Sequence, residues 1–182
     1  MKEIKKLKQK CFAIIISLAL ISTWYVPSII SSFITDKKVV VKKGEKGSIK
    51  SFDLEIKFDA PTNWERSRQE SDAIIKYESK DEKAKIVVEV LSDSTDFKVT
   101  LDRYIKNKNR ANKAIALTDE KVEKNGFKGK YFYVVEPIKQ LFGKGAVLYK
   151  NGTFLSVISY GNEKEATDNL MKILDSLEWE AI

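Results

Sequence analysis

Asn125-Gly126-Phe127-Lys128-Gly129-Lys130-Tyr131-Phe132-Tyr133-Val134-Val135-Glu136 is the stretch that decides the fold. Its counterpart is Asn151-Gly152-Thr153-Phe154-Leu155-Ser156-Val157-Ile158-Ser159-Tyr160. Asn-Gly suits a type I′ turn, whose two central residues both need positive φ. Each pair therefore predicts a tight hairpin, Asp119–Lys124 turning into Phe127–Glu136 and Lys144–Lys150 turning into Thr153–Tyr160. The segments Tyr131–Val135 and Phe154–Ile158 are nearly continuously apolar, the pattern of strands with a helix over at least one face.

Outward from these hairpins, Phe52, Leu54, Ile56 and Phe58 alternate with Asp53, Glu55 and Lys57, which predicts a half-buried strand beginning near Ile49. Pro61 ends it, and Trp64 follows in a short loop. Ala73–Glu78 and Lys85–Leu91 read as a further hairpin across the polar turn Ser79–Lys83. Thr100 is placed as the N-cap of a short helix reaching about Asn109, with Leu101, Tyr104, Ile105 and Lys108 at helical spacing. Arg110–Thr118 shows no pattern that assigns it. At the end of the chain Asn162 and Glu165 make a capping box, and Ala166, Leu170, Ile173, Leu174 and Leu177 form one apolar stripe. That stripe must be buried on the sheet. The fold class expected for residues 49–182 is α+β, a central, mostly antiparallel β-sheet covered by helices.

Ahead of this domain, residues 11–34 carry no charged side chain. As a helix such a block reaches about 36 Å, against roughly 30 Å of bilayer hydrocarbon. It reads either as a cleavable signal or as an anchor. No Ala-x-Ala cleavage site is present, and the adopted reading is an uncleaved N-terminal transmembrane helix or signal anchor. Residues 1–10 are then a basic cytoplasmic tail and residues 35–48 a lysine-rich linker. Lysines flank the block on both sides and give little orientation bias, but so short a tail on a first hydrophobic segment places the domain outside the cytoplasm, on a single-pass protein of the cell membrane.

The formal net charge is +7 over 182 residues. Lys2, Lys5, Lys6, Lys8 and Lys10 against Glu3, together with Lys37, Lys38, Lys42, Lys43, Lys46 and Lys50 against Asp36 and Glu45, supply more than this whole excess. The remainder is nearly neutral, which argues against a nucleic-acid-binding domain. Histidine is absent and Cys11 is the single cysteine, so no intrachain disulfide and no Cys/His zinc site can form.

Several motifs, taken in order, resemble one family. They are Phe52–Phe58 followed by Pro61-Thr62-Asn63-Trp64, then Leu101-Asp102-Arg103-Tyr104, then Asn125-Gly126-Phe127-Lys128-Gly129-Lys130-Tyr131, and last Ile173-Leu174-Asp175-Ser176-Leu177. Their order and spacing resemble the PsbP-like superfamily, which includes the extrinsic oxygen-evolving protein of photosystem II, a small nuclear-transport factor and many bacterial lipoproteins and membrane-anchored proteins. The resemblance covers roughly residues 49–180. It implies an αβα sandwich and a binding or accessory role, and does not imply an enzyme. The photosystem protein's own metal-related features match no position here.

The candidate partner-binding residues are Trp64, in the loop after the first strand, and Tyr131 and Tyr133, which alternation puts on one face of a central strand. Sheet packing is the simpler reading of all three. Asp93 and Asp96 lack the ligand count and glycine spacing of a calcium loop and read as capping and leading into the helix. Glu78, Asp81 and Glu82 read as a solvated hairpin tip among lysines. Glu55, Glu89 and Glu136 could pair as acid and base, but strand alternation explains them as solvent-facing. Phe142-Gly143-Lys144-Gly145 lacks the ending of a phosphate loop and reads as a loop into a strand. A serine nucleophile would lack a base. The expectation is a non-catalytic, membrane-anchored extracytoplasmic module with a protein partner in the envelope, no nucleic acid, and no cofactor or metal. The alternatives are a secreted small-ligand-binding protein with its site in the sheet–helix crevice, and a carboxylate-dependent hydrolase.

Overall fold

The computed structural model describes residues 38–51, 54–67, 71–91, 96–111 and 113–182. The basic tail, the uncharged block 11–34, Phe52, Asp53 and Asp93 lie outside the described residues. Among the described residues no helix is long and apolar enough to cross a membrane.

An eight-stranded, wholly antiparallel sheet forms the middle layer. Its strands in chain order are β1 (Val39–Val40), β4 (Glu65–Arg66), β5 (Ile74–Glu78), β6 (Lys85–Leu91), β7 (Ala114–Lys124), β8 (Phe127–Glu136), β9 (Leu141–Lys150) and β10 (Thr153–Tyr160). Across the sheet they run β1-β4-β5-β6-β10-β9-β8-β7. Both Asn-Gly pairs turn as expected: φ is 50° and 82° at Asn125 and Gly126, and 47° and 81° at Asn151 and Gly152. β10 lies between β6 and β9, and all eight of its residues are buried, because both faces are covered.

Helix α1 (Phe97–Arg110) covers one face, setting Leu101 and Tyr104 against Phe132, Val134, Phe154 and Ile158. On the other face lie helix α2 (Glu163–Asp175) and a separate three-stranded sheet of β2 (Lys46–Lys50), β3 (Leu54–Asp59) and β11 (Glu178–Ala181). Leu170, Ile173 and Leu174 of α2 pack there with Ile56 and Phe58 of β3 and Val88, Leu148 and Leu155 of the large sheet. Each fully buried aliphatic or phenyl side chain contributes about 1.5–3 kcal/mol of transfer free energy. Asn162 caps α2 as expected, its Oδ1 accepting the Glu165 N–H at 2.9 Å.

Five expectations are corrected. The stretch 35–48 is not all linker: from Lys38 onward it belongs to the fold, with Val41 1% exposed and its N–H donating to the Trp64 carbonyl. Lysine density conceals this, because Lys38 and Lys46 are spent on the domain's own carboxylates, Glu65 and Glu78 for one, Asp59 and Glu178 for the other. Ile49 is not on the strand of Ile56 but pairs opposite it across β2 and β3. Thr100 is not the cap of α1. Asp96 is, its carboxylate accepting the N–H groups of Lys98 and Val99, while Phe97 anchors the extra turn against Phe154 and Tyr149. Phe142 and Gly143, read as a loop leading into the strand from Lys144, already belong to β9. A Cβ at Gly145 would come within 2.3 Å of the Phe132 ring, so glycine there makes room for an aromatic lying over the strand. Finally, the chain does not end in α2. It continues into β11, whose four residues are all exposed and which no apolar pattern announces.

Candidate functional site

Helix α2 crosses one face of the large sheet, with a crevice beside Trp64 on one side and Tyr131 and Tyr133 on the other. The sequence candidates divide between them.

Trp64 lies on the β6 side. Asn63 takes a left-handed φ of 66°, and Val41 holds the turn by exchanging backbone hydrogen bonds with Asn63 and Trp64. Half-buried Trp64 then walls a crevice of about 610 Å³ with Pro61, Ile86, Ile173, Asn169 and Lys172. Ser176 closes one end, its Oγ accepting the Asp59 N–H at 2.9 Å and donating to the Ile173 carbonyl at 3.0 Å. Asp59 and Asp175 also reach the crevice, but Lys46 and Lys124 neutralise them, and their side chains are 65% and 56% exposed. Two solvated, lysine-paired carboxylates are not arranged as a general acid and base, which need one of the pair desolvated.

Tyr131 and Tyr133 lie together on the β8 side. One row of residues runs across the sheet on this face: Ser159 of β10 opposite Lys144 of β9, Lys144 opposite Tyr133 of β8, and Tyr133 opposite Ala116 of β7. In the next row Phe142 pairs with Val135. The Lys144 ammonium sits 5.5 Å and 5.7 Å from the ring centres of Tyr131 and Tyr133, within cation–π range. Tyr133 packs on Phe142 at 5.7 Å. The Tyr131 hydroxyl reaches Met171 of α2 at 3.6 Å, which marks the edge of the helix's cover, and burial raises the Tyr131 pKa. Beyond that edge Val135 is 40% exposed. The structure thus joins Tyr131 to Tyr133 and sets Trp64 apart from both, across α2.

The carboxylates singled out in the sequence do not converge. Glu89 and Glu136 are not solvent-facing: their side chains are 16% and 12% exposed and pair with Lys108 at 2.7 Å and Lys113 at 2.5 Å. Lys113 also donates to the Tyr160 hydroxyl at 3.2 Å. Glu55, on the small sheet, accepts from Ser48 at 2.6 Å, and that bond is the chief cause of its lowered pKa. Glu78 is bound by Lys38 rather than free at a hairpin tip. Among the described residues no three acidic or sulfur side chains gather as a metal site would need.

Sequence reading missed Phe142 because Gly143 suggested a loop, and although Lys144 was placed at the start of a strand its tyrosine neighbours were not seen. Had the segment been taken as extended, alternation would have placed both on the Tyr133 face. Asn169 and Lys172 carried no signal, since the polar face of a helix gives no sign of which residues rim a crevice.

No family model matches this chain, and no curated protein matches it in sequence. Its fold is similar to the solution structure of cyanobacterial PsbP (CyanoP) from Synechocystis sp. PCC 6803, with a TM-score of 0.50 and 11% identity over 77% of this chain and 99% of that one. The fold is PsbP-like. At that identity the likeness concerns architecture alone.

Proposed function

We propose that the protein is a non-catalytic binding or accessory module of a bacterial envelope complex, held to the cell membrane by residues 11–34 with its folded domain outside the cytoplasm. The observation that carries this reading is the open flank of Tyr131, Tyr133, Phe142 and Val135. Helix α2 covers it only as far as Met171, and half-buried aromatic groups beside exposed Val135 on a rigid sheet are the raw material of protein recognition. The PsbP-like fold and the ion-paired state of Glu89, Glu136, Asp59 and Asp175 are in keeping with a role without catalysis.

The test places a photo-cross-linking residue at Tyr133 in the full chain and irradiates native membranes. A specific adduct at position 133, absent when the residue stands at exposed Lys128 on the same strand, is expected. Adducts at neither position refute the reading. N-terminal sequencing and intact mass of the mature protein check the anchor, since loss of residues 1–34 means release instead.

The crevice beside Trp64 favours a second reading, a secreted protein that binds a small ligand there. Quenching or a shift of Trp64 fluorescence by extracellular extract, absent in Trp64→Phe, would separate it from the first.

A further inference from the structure

We infer that the occupant of the Tyr131–Tyr133–Phe142 flank is an acidic segment of a protein partner, one carboxylate flanked by aromatic or aliphatic side chains, and that Lys144 receives the carboxylate. The inference rests on the accessory-module reading above and adds the chemistry of the partner.

Charge complementarity is the first ground. Several lysines of the fold, among them Lys38, Lys108 and Lys113, hold a carboxylate of this chain within ion-pair distance, while others, such as Lys150, sit over aromatic rings. Lys144, in the middle of a sheet face and only half-exposed, contacts two tyrosine rings and, among the described residues, no carboxylate. Its surroundings are aromatic, so an incoming anion would meet a cation already partly removed from water, where an ion pair is worth more than at an open surface.

Shape is the second ground. The patch spans β8 and β9, with strands spaced about 4.8 Å apart and Met171 of α2 at one edge. The Trp64 crevice, by contrast, is the enclosed space on this face. An extended segment can lie along the patch with alternate side chains down, one set on Tyr133, Phe142 and Val135 and an acidic residue on Lys144. A strongly cationic segment would face Lys144 directly.

Fluorescent nonapeptides test this against full-length protein in nanodiscs, with binding read by anisotropy. Three peptides share a Phe-x-Phe centre in which x is Asp, Asn or Lys. The Asp peptide is expected to bind at least tenfold tighter than the Asn peptide, with the Lys peptide weakest. Lys144→Glu should transfer the preference to the Lys peptide, and Lys144→Gln should abolish the difference between Asp and Asn. Tyr133→Ser should weaken all three, and Trp64→Phe should leave them unchanged. Near-ultraviolet circular dichroism confirms that each variant keeps its packing. Equal binding of the Asp and Asn peptides, no binding, or indifference to Lys144→Glu overturns the inference. In membranes, mass spectrometry of the Tyr133 adduct separates the two levels of the reading. A captured segment without a carboxylate, or one from a second copy of this chain, sinks the acidic-segment inference and leaves the accessory role standing. The absence of any adduct sinks both.

Discussion

Helix α1 is fixed to the sheet by one buried polar contact. The Tyr104 hydroxyl lies 2.5 Å from Ser156 Oγ, and the two residues are 4% and 1% exposed. Phe132 and Phe154 surround the pair at ring distances of 6.3 Å and 5.6 Å, an environment that offers water no partners. Burial pushes the Tyr104 pKa well up, so the hydroxyl stays neutral throughout the ordinary pH range. Tyr104→Phe leaves the Ser156 hydroxyl unpaired, and an orphaned buried hydroxyl costs about 1–3 kcal/mol. For a domain of this size that lowers Tm by roughly 2–4 °C per kcal/mol. Ser156→Ala orphans the tyrosine in turn and should cost a similar amount. The double variant removes both polar groups together and should cost much less than the sum, giving a coupling of about 1–2 kcal/mol. Urea unfolding of the four proteins, read by far-ultraviolet circular dichroism, measures this cycle. Single costs that add to within about 0.5 kcal/mol would show the two hydroxyls to be energetically independent and would refute the reasoning.

Three further outcomes are expected. Gly145→Ala drives a Cβ to 2.3 Å from the buried Phe132 ring and should lower stability by about 1–3 kcal/mol in the same urea assay, whereas Gly152→Ala, with open space around it, should show only the backbone cost of positive φ. The exposed strand β11 is latched by Lys46–Glu178 and Lys57–Glu180, and hydrogen bonds to those carboxylates raise both lysine pKa values above 10.5. Their contribution is full below the unfolded pKa and is lost as pH rises through the folded one. Tm should therefore fall above about pH 10.5 in the native protein and less steeply in Glu178→Gln/Glu180→Gln. Glu55 shows the opposite sign: Ser48 holds its pKa below 4.5, so its contribution is present above that pH and lost as the folded carboxylate takes up its proton. Ser48→Ala should lower Tm at neutral pH and flatten its decline below about pH 4.5, and identical acid limbs for the two proteins would count against the bond.

The sequence by itself determined the local elements wherever a side-chain pattern and a turn signal agreed. The two Asn-Gly hairpins, the capped stripe of α2 and the Ala73–Leu91 hairpin all rest on interactions within a few residues, which periodicity records directly. It also determined that the basic excess lies ahead of Ser51. What only the tertiary structure decided are the features whose partners are distant in the chain. Lys38–Ser48 looked like a linker because its lysines are counted locally, while the carboxylates that neutralise Lys38 and Lys46 stand elsewhere. Gly143 looked like part of a loop because the aromatic ring that occupies its missing side-chain space belongs to β10. Strand β11 exists because β3 offers it a ladder, not because of its own composition. The site follows the same rule. Alternation could pair Tyr131 with Tyr133, but α2 had to be laid across the sheet before Trp64 fell on one side of it and Lys144 joined the tyrosines on the other.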